Sequence, residues 1–120
     1  VRRIANENEI SEILRHRNFE IVEAENLSWR EQANLFAGAS VIVAPHGAAL
    51  ANIVFCKPGT RVVEIITRAG YRDWYWQLAA VAGLSYEVME AQRSGSFSGP
   101  YEIADMIVSR ENLERLLESL

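Results

Sequence analysis

Val41-Ile42-Val43-Ala44-Pro45-His46-Gly47-Ala48-Ala49-Leu50-Ala51-Asn52 carries the strongest local signal in the chain. Residues 41–44 are a short apolar run of the kind buried on both faces of a parallel sheet. Pro45 ends the run, and a helix is expected to open near Gly47 and continue to about Phe55. Small side chains at a helix start leave the backbone N–H groups uncovered, and the helix terminus adds a partial positive charge. Such a turn is a ready seat for a phosphate or diphosphate. His46 stands where its imidazole could donate to that phosphate or to its leaving oxygen. Asn52, about one and a half turns further on, faces either the ligand or a neighbouring loop. The same turn also reads as plain close packing, with His46 serving as a backbone cap. There is no GxGxxG fingerprint and no Walker A lysine, so dinucleotide and P-loop assignments are weak.

Outward from this stretch, helical and strand periods alternate from end to end. Asn6 with Glu9 makes a cap and third-position acid ahead of Ile10, Ile13 and Leu14, which share a helical face. Residues 19–23 read as a strand. Ser28 with Glu31 is a capping box, followed by Trp29, Ala33 and Phe36 at helical spacing. Pro58-Gly59 supplies a turn into the apolar run Arg61–Ile66. Residues 71–82 form an aromatic helical stretch closed by Gly83. Ser85–Glu90 is a strand, residues 91–100 a loop, and residues 106–108 a last short strand. Ser109 caps a closing helix marked by Leu113, Leu116, Leu117 and Leu120. Strands and helices at this spacing predict an α/β fold with right-handed crossovers, a doubly wound, Rossmann-like parallel sheet. Ligands of such sheets sit beyond the carboxyl ends of the strands.

At 120 residues the chain is read as one domain, residues 1–120, and its nearly half apolar content is ordinary for a soluble protein. A net charge of −4 argues against a nucleic-acid partner. The single cysteine, Cys56, excludes an internal disulfide and any cysteine-based metal cluster, and it would be a nucleophile only beside a base. No apolar run reaches the ~18 residues of a membrane span. The start, Val1-Arg2-Arg3-Ile4, leads straight into a helix, as expected of a piece cut from a longer chain.

Glu64 is the second candidate. A carboxylate within Val62-Val63-Glu64-Ile65-Ile66 is costly to bury alone. It either accepts hydrogen bonds from ribose hydroxyls or pairs internally, with Arg61 or Arg68 or with backbone amides. Arg2 and Arg3 reach a diphosphate or merely flank a strand. Glu25 lines the cleft or caps the next helix. Trp74, Tyr75 and Trp76 stack on a base or sugar, or form core and interface. His16 is read as a surface residue near a helix end. No metal-ligand spacing is present.

The order of these pieces resembles glycosyltransferase family 61. The matching residues are Arg2-Arg3-Ile4-Ala5-Asn6-Glu7, Asn18-Phe19-Glu20-Ile21-Val22, and Leu27-Ser28 with Glu31-Gln32 and Leu35-Phe36. Then come Ala39, the block from Pro45 to Asn52 with Phe55, and Pro58-Gly59 leading to Val62-Val63-Glu64. The resemblance covers residues 2–66, and its most specific element is Pro45-His46-Gly47-Ala48. It implies the carboxyl-terminal, nucleotide-sugar-binding half of a two-domain GT-B enzyme, transferring a sugar to a glycan or polysaccharide acceptor with inversion. By that analogy His46, Gly47, Ala48 and Ala49 hold the diphosphate, Asn52 belongs to the same block, Glu64 lies near the ribose and Arg3 faces the cleft. No cofactor beyond the nucleotide-sugar donor is implied, and no metal. The acceptor-binding domain and the general base lie outside this chain, so the fragment alone is expected to be inactive. The capsular-polysaccharide members of the family imply a bacterial, cytoplasmic setting. The rival reading is a non-catalytic α/β module that binds a partner protein through residues 71–76. A hydrolase built on His46 lacks a nucleophile–base pair.

Overall fold

The computed structural model describes residues 4–68, 71–93 and 105–120. They fall into two compact units, one made of Val1–Val22, Ile65–Tyr71 and Met89–Leu120, the other of Glu23–Glu64 and Arg72–Val88. In chain order the elements are α1 (Glu7–His16), α2 (Trp29–Gly38), β1 (Val41–Pro45), a 3₁₀ helix (Ala48–Phe55), β2 (Arg61–Ile66), α3 (Trp74–Ala82), β3 (Ser85–Glu90), β4 (Gln92–Arg93), β5 (Met106–Ile107) and α4 (Arg110–Glu118).

The main sheet has the order β1-β2-β3 and is parallel. The Arg61 N–H donates to the Ser40 carbonyl at 3.0 Å where β1 and β2 begin to pair. Ser85 donates to Thr60 and Ala91 to Ile66, both at 3.0 Å and with the same residue offset, which only parallel strands maintain. Crossovers must join such strands, and here they are the 3₁₀ helix and α3. Central β2 is buried from Val62 to Ile66, Glu64 included, as expected of a strand covered on both faces, while β1 is half-buried throughout. A doubly wound sheet reverses its strand order at a switch point. The described order proceeds in one direction, so that reversal is not among the described strands. The strand expected over residues 19–23 does not form. Asn18 turns the chain out of α1 with φ 66°, and a short 3₁₀ turn, Ala24–Asn26, follows.

Within the second unit, Ser28 caps α2 as its sequence predicts. Its hydroxyl accepts from the Glu31 N–H at 3.1 Å, and its own N–H donates to Glu31 Oε1 at 3.0 Å. The Ser28 backbone and hydroxyl donors hold the Glu31 carboxyl below its ordinary value. The contribution of this cap is therefore present above the unfolded carboxyl's titration and is lost as pH falls through the lowered folded value. Phe36 faces the core, but Trp29 does not: it is 71% exposed, with the Arg30 guanidinium 5.7 Å from its ring centroid. The expected helix after Gly47 is a 3₁₀ helix. Its buried residues, Leu50 and Ile53, and Cys56 just past its end recur every third position, and three residues per turn is the period that stacks i over i+3. With Phe36, Val62, Tyr75 and Ala79 they form one apolar cluster. Burial pushes the Cys56 thiol up, which suits packing and not nucleophilic chemistry. Gly59, at φ 92°, makes the turn into β2, and Gly83, at φ 75°, ends α3 in the left-handed conformation that glycine adopts without strain.

The first unit joins distant parts of the chain. Helix α1 packs on α4 through faces carrying Ile10, Ile13 and Leu14, and Leu113 and Leu117. Asn6 occupies the cap position of α1 without capping it. Its amide instead reads both backbone groups of Val108: Nδ2 donates to the carbonyl at 2.8 Å, and Oδ1 accepts from the N–H at 3.1 Å. Ser109 caps α4 by accepting from the Asn112 N–H at 3.2 Å. Part of the loop expected over residues 91–100 is strand β4, which pairs antiparallel with β5; residues 94–100 lie outside the described residues. Asn6→Ala leaves two backbone groups of Val108 without partners and is expected to cost about 2 kcal/mol. Urea unfolding measures it, and an unchanged midpoint would show that water replaces the amide without penalty.

Candidate functional site

His46 is the first residue after β1, where a parallel sheet delivers side chains to ligands. Its ring is mostly covered, with 9% side-chain exposure, and Nδ1 is bonded to Glu64 Oε2. The other carboxylate oxygen, Oε1, accepts from the Tyr86 hydroxyl. Glu64 itself is fully buried in β2. A carboxyl group is costly to bury without hydrogen-bond partners, and the His46 ring and the Tyr86 hydroxyl supply them.

Two aromatic rings of α3 flank the imidazole, Trp74 at 5.6 Å and Tyr75 at 5.2 Å between centroids. Tyr75 is turned inward, and its hydroxyl donates to the Gly47 carbonyl at 2.7 Å. Burial, and then the charge of Glu64, push its phenol up, so Tyr75 remains a donor. Trp76 is 53% exposed, and Trp74, although beside the imidazole, leaves 59% of its surface to solvent. Alternate sides of one helical turn thus serve the loop and the solvent.

The expected site residues are distributed as follows. His46, Gly47 and Glu64 are brought together, with Tyr75 bracing the first two. Ala48 and Ala49 open the 3₁₀ helix; Ala48 is exposed and Ala49 half-buried. Gly47 is extended, with φ 172°, and a Cβ built there would meet only the Pro45 carbonyl oxygen, at 3.8 Å. The backbone therefore does not require glycine at this position. Asn52 is engaged with protein: Nδ2 donates to Gln32 Oε1 at 2.7 Å and to the Ala49 carbonyl at 3.1 Å, tying the 3₁₀ helix to α2. Arg3 lies outside the described residues. The arginines weighed as partners of Glu64 go elsewhere, Arg61 to Glu87 at 2.8 Å and Arg68 to Glu90 at 3.3 Å. Tyr86 and the bracing role of Tyr75 are not evident in the sequence. The available signal was a carboxylate in a central strand, which demands donors from the loops and strands beside it, and Tyr86 stands in β3.

The described strands thus form a parallel sheet with a histidine just past the end of β1, held to a buried glutamate of β2. The family model described as Glycosyltransferase 61 matches residues 1–63, and the chain belongs to that family. A beta-1,2-xylosyltransferase of Arabidopsis thaliana is 35% identical over 69 residues, which is 58% of this chain and 13% of that protein. The chain thus spans a small fraction of that relative's length. No solved structure matches. No helix among the described residues is long and apolar enough to cross a membrane.

Proposed function

We propose that this chain is the donor-binding part of a two-domain, GT-B-type glycosyltransferase, and that the turn at His46, Gly47, Ala48 and Ala49 receives the diphosphate of a nucleotide-sugar. The observation that carries the reading is an imidazole fixed at the end of β1 by a fully buried carboxylate, beside a turn whose glycine is not needed for folding. Oriented donors that meet a leaving diphosphate lower the barrier by stabilising the charge that develops on it. Inverting transfer also needs a base for the acceptor hydroxyl, which this reading assigns to the acceptor-binding part of the enzyme. Of the expected donor-binding residues, Glu64 is reassigned from the ribose to His46, and Asn52 to holding the 3₁₀ helix. Arg3 is retained as a residue facing the cleft.

Titrating the chain with UDP, followed by calorimetry and amide NMR, tests the reading. We expect perturbed resonances at Gly47, Ala48 and Ala49, and binding weakened at least about tenfold by His46→Ala, a loss of about 1.4 kcal/mol. UDP binding that His46→Ala leaves untouched would remove the assignment. Gly47→Ala separates folding from binding. It is expected to shift stability by less than about 0.5 kcal/mol, yet to weaken UDP binding because a methyl group now covers the approach to the amides. Equal losses in both would return Gly47 to a packing role.

A second reading draws on the exposure of Trp74 and Trp76, which suits a partner-binding face around residues 71–76. Concentration-dependent self-association abolished by Trp76→Ala, with UDP inert, would favour it.

A further inference from the structure

We propose that Trp74 is the platform on which the base of the nucleotide stacks, so that the first turn of α3 holds the base while the turn after β1 holds the diphosphate. This rests on the reading of the His46 turn as a diphosphate site and goes beyond it by giving the flat, uncharged part of the ligand a residue of its own.

Trp74 opens α3, and its ring lies 5.6 Å from the His46 imidazole between centroids, tilted by 39°. Even so, 59% of the residue stays open to solvent. An indole is one of the largest apolar surfaces a side chain carries, and leaving most of it in water forgoes the free energy of burying it. The next residue does the opposite. Tyr75 is only 9% exposed, and its hydroxyl donates to the Gly47 carbonyl at 2.7 Å. That bond ties the first turn of α3 to the strand-end turn and fixes the backbone that carries Trp74 beside it. A covered aromatic anchor next to an open aromatic ring is a largely preformed arrangement, as small-molecule sites require.

The chemistry of the ring selects which part of the ligand it takes. The face of an aromatic ring is negative and its edge positive, so the face does not attract a phosphate. It attracts another flat π-system in offset stacking, and every nucleobase has one. For the same reason the contact is tolerant: Trp74 supplies affinity for a base and no choice among bases. Trp76 has no share in this. Residues two apart on a helix do not face each other, so its exposed ring belongs to another side of α3.

The test is proton NMR of UDP titrated with the whole chain, with inorganic pyrophosphate as the probe that lacks a base. Stacking places the uracil ring protons over the indole, and they are expected to move upfield on binding and to show cross-relaxation with the Trp74 ring. Trp74→Leu is expected to weaken UDP binding about tenfold, within the range contributed by stacking one base on an aromatic side chain, and to leave pyrophosphate binding unchanged. Trp74→Phe, which keeps an aromatic face, should recover most of the lost affinity, and Trp76→Leu should lose none. Uracil protons that do not move when UDP binds the wild-type chain overturn the inference, and that measurement depends on no variant. Equal losses for UDP and pyrophosphate in Trp74→Leu overturn it too, because the residue then acts by bracing the His46 turn. So does a nucleotide-sugar weakened by Trp74→Leu while UDP is not, which gives the ring to the transferred sugar. In each of these cases the diphosphate site stands if His46→Ala weakens pyrophosphate binding. If neither UDP nor pyrophosphate binds, the site reading falls and this inference falls with it.

Discussion

Glu64→Ala is expected to destabilise the chain by about 3–5 kcal/mol, since each buried polar group left without its partner costs about 1–3 kcal/mol and a cavity is added. The side chain is fully buried, and deleting it strips the acceptor from both His46 Nδ1 and the Tyr86 hydroxyl. The deletion also leaves a void in the place of the buried carboxylate. Small domains are stable by only about 5–15 kcal/mol in total, so the loss is a large fraction of the whole. Urea unfolding should show a midpoint moved far down with little change in slope. Glu64→Gln, which keeps the shape and one accepting oxygen, should lose much less. A cost below about 1 kcal/mol for the alanine variant would mean that the pair is hydrated and that its apparent burial has little energetic meaning.

Leu50→Ala is expected to cost about 2–5 kcal/mol, the range for truncating a buried leucine to alanine. Leu50 is wholly inaccessible and belongs to the cluster that joins Phe36, Ile53, Val62 and Tyr75. It is also the first residue of the every-third-position stripe that seats the 3₁₀ helix, three residues after Gly47. Its loss should therefore reach the His46 turn: UDP affinity is expected to fall although Leu50 touches no ligand. Thermal unfolding followed by circular dichroism gives the stability term, and titration below the new midpoint gives the affinity. Val54→Ala is the control. Val54 lies in the same helix but is 53% exposed, and it should change stability by less than about 0.5 kcal/mol.

Periodicity carried most of the fold. The apolar run 62–66 reads as a central strand, the Ser28–Glu31 pair as a helix start and Gly83 as a helix stop, and each appears where its chemistry requires. Three features could not be read so simply. Residues 19–23 read as a strand, but strand pairing depends on a neighbour, and a five-residue string does not reveal whether one is at hand. The 3₁₀ helix is distinguished from an α-helix only by whether Leu50 is partnered at i+3 or at i+4. Ile53 and Val54 are both apolar, and the choice is made by what packs against them. Asn6 has the composition of a cap, yet it is taken by a backbone more than a hundred positions away. The site shows the same division. His46 and Glu64 stand out locally, one by its turn and the other by its cost, and the structure joins them directly. Tyr86 and Tyr75 are ordinary aromatics until the sheet order and the helix phase are known.

The tie between Asn6 and Val108 has a consequence for how the protein is made. The unit it holds together draws on both the earliest and the latest residues of this stretch, whereas the other unit is complete once Val88 has been added. During synthesis at the ribosome the unit bearing the His46 turn is free to mature first. Helix α1, which emerges ahead of it, must wait for β5 and α4 before its apolar face is covered. A ribosome stalled between these points should expose Ile10, Ile13 and Leu14 to chaperones while the His46 turn is already assembled.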